Sequence, residues 1–347
     1  MRDAYVIQGG FATRWGRASL PIEGYVSGNP VVAAFTLGTT KPTAALTGVG
    51  SLVETDGTLR SAPTIIIDGD VYLTGGQTLA DRIIKGRVYS SGTGNVVENC
   101  DIRGAVAAPT AYAYLIKTSD STGTLIRHCT LRPQTHSYYW NGIGQKNYTA
   151  YRCDISRVTD GFSAFSLASD KLCKINVSAC YGHDMIQFRP DRANTPTNPR
   201  AETHGDFIQL ENNVQDPADI VVEGNWFNAR HEYAVDAYTG EIIATNNKNR
   251  SCIMLSPIDN GNSGSTCSGS FINNWFDGGF MTLNAGGNNP GGRIIVRGNR
   301  FERPTETATS GGPGVYASLV IDAGLVKVDV SGNTYSGSTD SVPVKSW

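Results

Sequence analysis

One motif returns along most of this 347-residue chain. A short apolar strand runs into a polar corner, and a second short strand follows. The motif is clear at Asn95 to Gly104, where Val96, Val97 and Glu98 lead to Asn99, Cys100, Asp101 and Ile102. The corner residue recurs as Cys100, Cys129, Cys153, Cys180, Asn225, Asn247, Asn274, Asn299 and Asn333. The steps are 29, 24, 27, 45, 22, 27, 25 and 34 residues by subtraction of those positions, and the step of 45 reads as two turns. A period of roughly 20–50 residues marks a solenoid, a propeller or an array. Each repeat holds short strands and Asn/Gly corners with no amphipathic helix, so the chain is expected to be all-β, a parallel β-helix with one coil per repeat. A β-sandwich would need hairpin turns between even strands, and few alternating pairs here are joined by Asn-Gly.

Composition agrees with a solenoid and excludes several functions. Apolar residues make up only 39% of the chain, as expected where strands bury one face. A net charge of -2 leaves no basic footprint, so no nucleic-acid partner is expected. No stretch approaches the ~18 apolar residues that span a bilayer. Met1 to Tyr5 lead into polar, Gly-rich sequence, so no signal peptide is expected.

Three segments are expected. Residues 1–60 lack the repeat and read as an N-terminal cap or docking segment, because the open end of a solenoid core must be covered. Residues 61–335 carry the β-helix, with first strands near Thr64 to Asp70 and Arg82 to Val88. Residues 336–347 end in Val342, Val344 and Trp347 and read as a C-terminal cap or tail. Two Pro/Gly/Thr-rich stretches, Arg189 to Thr203 and Thr305 to Gly314, read as loops thrown out from a corner.

The corner residues need no chemistry. Cys100, Cys129, Cys153 and Cys180 share one repeat position and read as a ladder of buried thiols. No Cys/His spacing suggests zinc, and no metal or other cofactor is expected. Asn side chains at a turn bond backbone groups and, stacked, bond one another.

A second register could carry a site. Asp160, Asp184, Asp206 and Asp236 are spaced 24, 22 and 30 residues apart, about one coil each. They are expected along one face, neighbouring carboxylates about 5 Å apart. Asp184 and Asp206 are the candidate catalytic pair, since two carboxylates at such separations serve glycosidases. Asp160, His183, His204, Gln187, Gln209, Asp236 and Arg189 are candidate substrate-binding residues. Arg192 and Arg200 would suit an acidic sugar, and Tyr138, Tyr139 and Trp140 could stack on sugar rings. The alternative is structural: Asp and Gln closing turns and forming polar ladders while Ile points inward.

The coil pattern from Asn95 to Gly104 and the run His204-Gly205-Asp206-Phe207-Ile208-Gln209 resemble the right-handed parallel β-helix superfamily that includes pectate lyases. In particular they resemble β-helical minor tail and tailspike proteins of tailed bacteriophages infecting actinobacteria, over roughly residues 64 to 335. The resemblance implies a single-stranded right-handed helix, here of about ten coils, often assembled as a trimer. It implies a virion protein that contacts other tail proteins and host cell-surface polysaccharide, released by lysis. It implies alternatively a polysaccharide lyase or glycoside hydrolase. The calcium-binding aspartates and catalytic arginine of pectate lyases have no full match here.

Overall fold

The computed structural model describes residues 35–346 apart from 166–172, 190–203, 212–215, 237–238, 246–249, 256–266, 286–291, 305–316 and 322–323. The protein is nearly all β, with one short 3-10 turn at Pro217–Asp219 among the described residues. Strands pair in parallel across long sheets, each with the strand one coil later. This is consistent with a β-solenoid. Among the described strands, one antiparallel ladder joins His231–Asp236 to Ile242–Ile243, and isolated antiparallel bridges link Val53 to Leu59 and Thr334 to Ser341.

The corner positions form one line. Just beyond the corners, Asp101 pairs with Thr130, Thr130 with Asp154 and Asp154 with Tyr181. The line continues from Tyr181 to Trp226, Trp275, Arg300 and Thr334. Cys100, Cys129, Cys153 and Cys180 therefore occupy successive coils, all buried and unbridged. The asparagines extend the same line. Cys180 N donates to Asn225 Oδ1 at 2.8 Å, and Asn225 Nδ2 donates to Asn274 Oδ1 at 2.9 Å. Asn274 and Asn299 repeat the step toward Asn333. The second hydrogen of each amide reaches a backbone carbonyl, as Asn274 does at Val222.

This line corrects two expectations. The step of 45 from Cys180 to Asn225 is one coil, because Ile175–Ser178 pairs directly with Ile220–Glu223. The next step runs 49 residues, from Asn225 straight to Asn274. The rung after Asn225 is Asn274, and Asn247 lies outside the described residues. Ile242 and Ile243, read as its strand, belong to a separate sheet.

The residue before each rung takes a left-handed conformation. Asn99, His128, Arg152, Ala179 and Asn273 do so at φ of 48–55°, and Gly224, Gly298 and Gly332 at 65–66°. This costs a side chain roughly 1–2 kcal/mol. The bend aims the corner residue inward and leaves the backbone N–H free to bond the next coil, as from Arg152 to Ser178 O at 3.1 Å.

One apolar core runs the length of the coils, from Leu73 to Val342. Phe207, Phe227 and Phe276 stack within it, with centroids 5.3 and 6.2 Å apart. The C-terminal segment folds back on this core. Lys345–Ser346 pairs with Val320–Ile321, and Val342 is buried. Trp347 lies outside the described residues.

Residues 35–62 lie along the flank of the coils. Lys41 sits 3.7 Å over the Trp226 ring and pairs with Asp277 at 3.2 Å. Gly48 N donates to Arg152 O, Gly50 N to Asn99 Oδ1, and Asn99 Nδ2 to Ser61 O. The segment is a strap laid over the left-handed corners. On the first described strands Ile65, Ile66 and Tyr72 are exposed. Residues 1–34 lie outside the described residues.

Candidate functional site: a lateral sheet and the polar groups at its root

Every coil leaves the ten-stranded sheet and enters the long sheet at the same corner, and there the chain makes its excursions. Residues 132–139 form one, between Thr130–Leu131 and Trp140–Gly144. In the two longest coils the excursion builds a three-stranded lateral sheet. Met185–Arg189 pairs with His231–Asp236 in parallel, Ile186 opposite Tyr233 and Phe188 opposite Val235. Ile186, Phe188 and Val235 form a small core of their own, with Tyr138 and Tyr233 packed on it.

An aromatic shelf forms where these excursions meet. Tyr138 and Tyr139 lie 4.0 Å apart by ring centroid, and Tyr112 meets Tyr139 edge-on at 5.8 Å. Tyr112 is 66% exposed. The Tyr233 hydroxyl lies 2.6 Å from His136 Nε2. Beside it, Arg157 grips Glu232 through two bonds of 2.9 Å. Tyrosine faces next to fixed polar forks are the chemistry that stacks on a pyranose and bonds its hydroxyls. Trp140 does not join the shelf. Its side chain is 1% exposed, turned into the core against Gly104 and Leu115.

The four aspartates do not share one face. Asp160 and Asp206 are register partners on adjacent coils, and they form a ladder. Asp160 N donates to Asn141 Oδ1 at 3.3 Å, and Asp206 N donates to Asp160 Oδ1 at 3.2 Å. Asp206 is fully buried. Its Oδ2 lies 2.6 Å from His204 Nδ1, in the geometry of an ion pair rather than a directed hydrogen bond. Asp206 Oδ1 has no hydrogen-bond partner among the described residues.

Asp184 lies apart from that line. It is left-handed at φ 50° and its side chain is 49% exposed. Its Oδ2 sits 2.6 Å from His183 Nδ1, while His183 Nε2 sits 3.0 Å from Asp154 Oδ1. The ring stacks on Tyr181 at 4.3 Å. Burial works against a charge on His183, but bonds and charges from Asp154 and then Asp184 outweigh it and raise the pKa. Both ring nitrogens are engaged, so His183 bridges two carboxylates.

The remaining candidates divide likewise. Asp236 stands opposite Arg189 in the lateral sheet, and its Oδ1 accepts from Thr239 N in the turn that follows. Arg189 Nη1 reaches Ala244 O at 3.4 Å. Gln187 is fully buried, and its Oε1 accepts from Thr245 at 3.1 Å. Gln209 sits in the long sheet between Ser163 and Met254. Arg192 and Arg200 lie outside the described residues. The structure therefore brings Asp160 to Asp206 and His183 to Asp184, and it keeps these two sets on different strands.

Two groups went unread in the sequence. Asp154 follows a corner cysteine as Tyr181 does one coil later, and that spacing was the available signal for its meeting with His183. His231 and Arg250 start two strands whose role as the root of the lateral sheet has no local signature. No family of known proteins, no curated protein and no solved structure matches this chain. Geometry alone bears on function.

Proposed function

We propose that the chain is a bacteriophage minor tail protein, part of a tail tip or spike, that contacts host cell-surface polysaccharide. In this reading its body is a right-handed parallel β-helix of about ten coils, assembled in the virion as a trimer against other tail proteins. The observation that carries the glycan contact is the shelf of Tyr112, Tyr138, Tyr139 and Tyr233, with His136, Arg157 and Glu232 alongside. Solenoid-like coils support it as a rigid shaft from which a lateral sheet projects.

The test is binding of purified protein to host cell-wall polysaccharide. Tyr112→Ala and Tyr139→Ala each remove an accessible ring outside the main core. Each is expected to weaken binding roughly five- to thirtyfold, about 1–2 kcal/mol for an anchor residue. Unchanged binding in both variants, with folding intact, would refute the shelf as the contact.

A second reading is a polysaccharide lyase or glycosidase. It rests on the buried Asp206 carboxylate against His204 and next to Asp160. If that reading holds, host polysaccharide shortens on incubation and Asp206→Asn stops the shortening while binding persists.

A further inference from the structure

Arg250 opens the strand Arg250–Leu255 at the root of the lateral sheet, opposite Gly205 on the preceding coil. Only 4% of it is exposed. Yet its Nε and Nη1 meet no acceptor among the described residues. A guanidinium carries five donors and stays protonated in proteins. A charge so buried is retained only when it is paired.

The nearby carboxylates are committed elsewhere. Glu302 pairs with Arg230 through one oxygen and accepts Gly278 N–H through the other. That leaves two guanidiniums, Arg230 and Arg250, to one carboxylate. Asp206 lies opposite Ser251, the next residue along. Side chains alternate along a strand, so Asp206 and Arg250 belong to opposite faces.

His231 adds to the same spot. Its Nε2 stands 3.8 Å from where a Cβ on Gly205 would be, an ordinary contact distance that places the ring against the register partner of Arg250. Burial first, then the charges of Arg250 and His204, push its pKa down to about 3. The imidazole is thus neutral and brings no second charge to the spot. Burial and Arg230 lower Arg250 to about 10, which leaves it charged at neutral pH.

We infer that Arg250, beside His231, forms an anion site that takes a carboxylate or a small oxyanion through the Nε–Nη1 edge of the guanidinium. Water would satisfy the N–H groups and leave the charge, whereas an oxyanion meets both in a paired geometry. The inference stands apart from the glycan reading. The carboxylate comes either from a free small anion or from an acidic sugar.

The experiment is a melting-temperature titration of the full chain with sodium acetate, sodium phosphate and sodium glucuronate. Arg250→Met, titrated in parallel, removes the general salt effect. The wild type is expected to show a saturable rise, and the variant binding weakened about ten- to a hundredfold. Should Arg250→Met fail to fold, Arg250→Lys keeps the charge, loses the fork and takes its place. Saturation by acetate and phosphate indicates a free anion; saturation by glucuronate alone indicates an acidic sugar. A wild type with no saturable rise, or a variant that rises equally, overturns the site. Loss of polysaccharide binding in the tyrosine variants leaves this titration unaffected, so the two ideas fail separately.

Discussion

The asparagine ladder makes the sharpest claim on stability, and Asn274 is the rung to remove. Asn274 Oδ1 accepts Asn225 N at 3.0 Å and Asn225 Nδ2 at 2.9 Å. Its Nδ2 donates to Val222 O and Asn299 Oδ1, each at 2.9 Å. Asn299 Oδ1 keeps its bond from Asn274 N in any variant, because that donor is backbone. Asn274→Ala therefore strands two buried donors on Asn225. At about 1–3 kcal/mol per unsatisfied group, the loss is about 2–6 kcal/mol. The chain itself supplies the control. Four rungs of the line are cysteines, and Cys153 N donates to Cys180 Sγ at 3.4 Å. Asn274→Cys returns a weak acceptor and is expected to lose less than the alanine variant. Urea unfolding followed by tryptophan fluorescence reads the difference, since Trp226 and Trp275 flank the rung. Hydrogen exchange over residues 220–227 localises it. An alanine variant that loses under about 1 kcal/mol, or a cysteine variant no better than alanine, would refute the reasoning.

Three further outcomes follow from single groups. His183 has a raised folded pKa, so its contribution is complete below the unfolded value of about 6.5 and is lost as pH rises through the folded value. The melting-temperature gap between wild type and His183→Gln is expected to shrink from pH 6 to 8.5, and a constant gap would contradict this. His231 has the opposite sign. With a folded pKa of about 3, stability is complete above about 6.5 and falls toward pH 3, by up to about 1.4 kcal/mol per pH unit. His231→Gln is expected to melt with a shallower acid limb, and an unchanged limb counts against the assignment. Gly224→Ala would place a Cβ 2.5 Å from Leu37 Cδ1 at a left-handed corner. It is expected to cost about 1–2 kcal/mol and to open residues 36–62 to protease, with an unaltered digestion pattern as the contrary result.

The all-β parallel architecture was legible because the corner is chemically demanding. The residue there must face inward after a left-handed bend, and Cys and Asn each fit the resulting ladder. The same local rule misled at Ile242 and Ile243. Apolar residues followed by Asn look alike whether the strand joins the next coil or an excursion, and only pairing tells them apart. Here Ile242 and Ile243 turn back on Val235 and Ala234. The strap was unreadable for a related reason. Gly48 and Gly50 bind corners at Arg152 and Asn99, far off in sequence, through backbone groups that any residue carries.

The aspartate face failed through the same false period. Spacings of 24, 22 and 30 imitate successive coils, but the coils here are 45 and 49 residues long. A lateral excursion intervenes in each, so Asp184 follows the end of the strand before the excursion and Asp206 is the second residue of the strand after it. Asp236 lies within the excursion itself. Tyr138, Tyr139 and Trp140 read in the sequence as one sugar-stacking group, yet strand entry at Trp140 turns the indole into the core and leaves the two tyrosines half-buried outside it. The lateral sheet thus separates the aspartates that the period had joined. It also gathers Tyr138, Phe188 and Tyr233 from three excursions that the sequence keeps apart. Its tyrosines, half-buried beside the exposed Tyr112, are where substitutions should separate binding from folding.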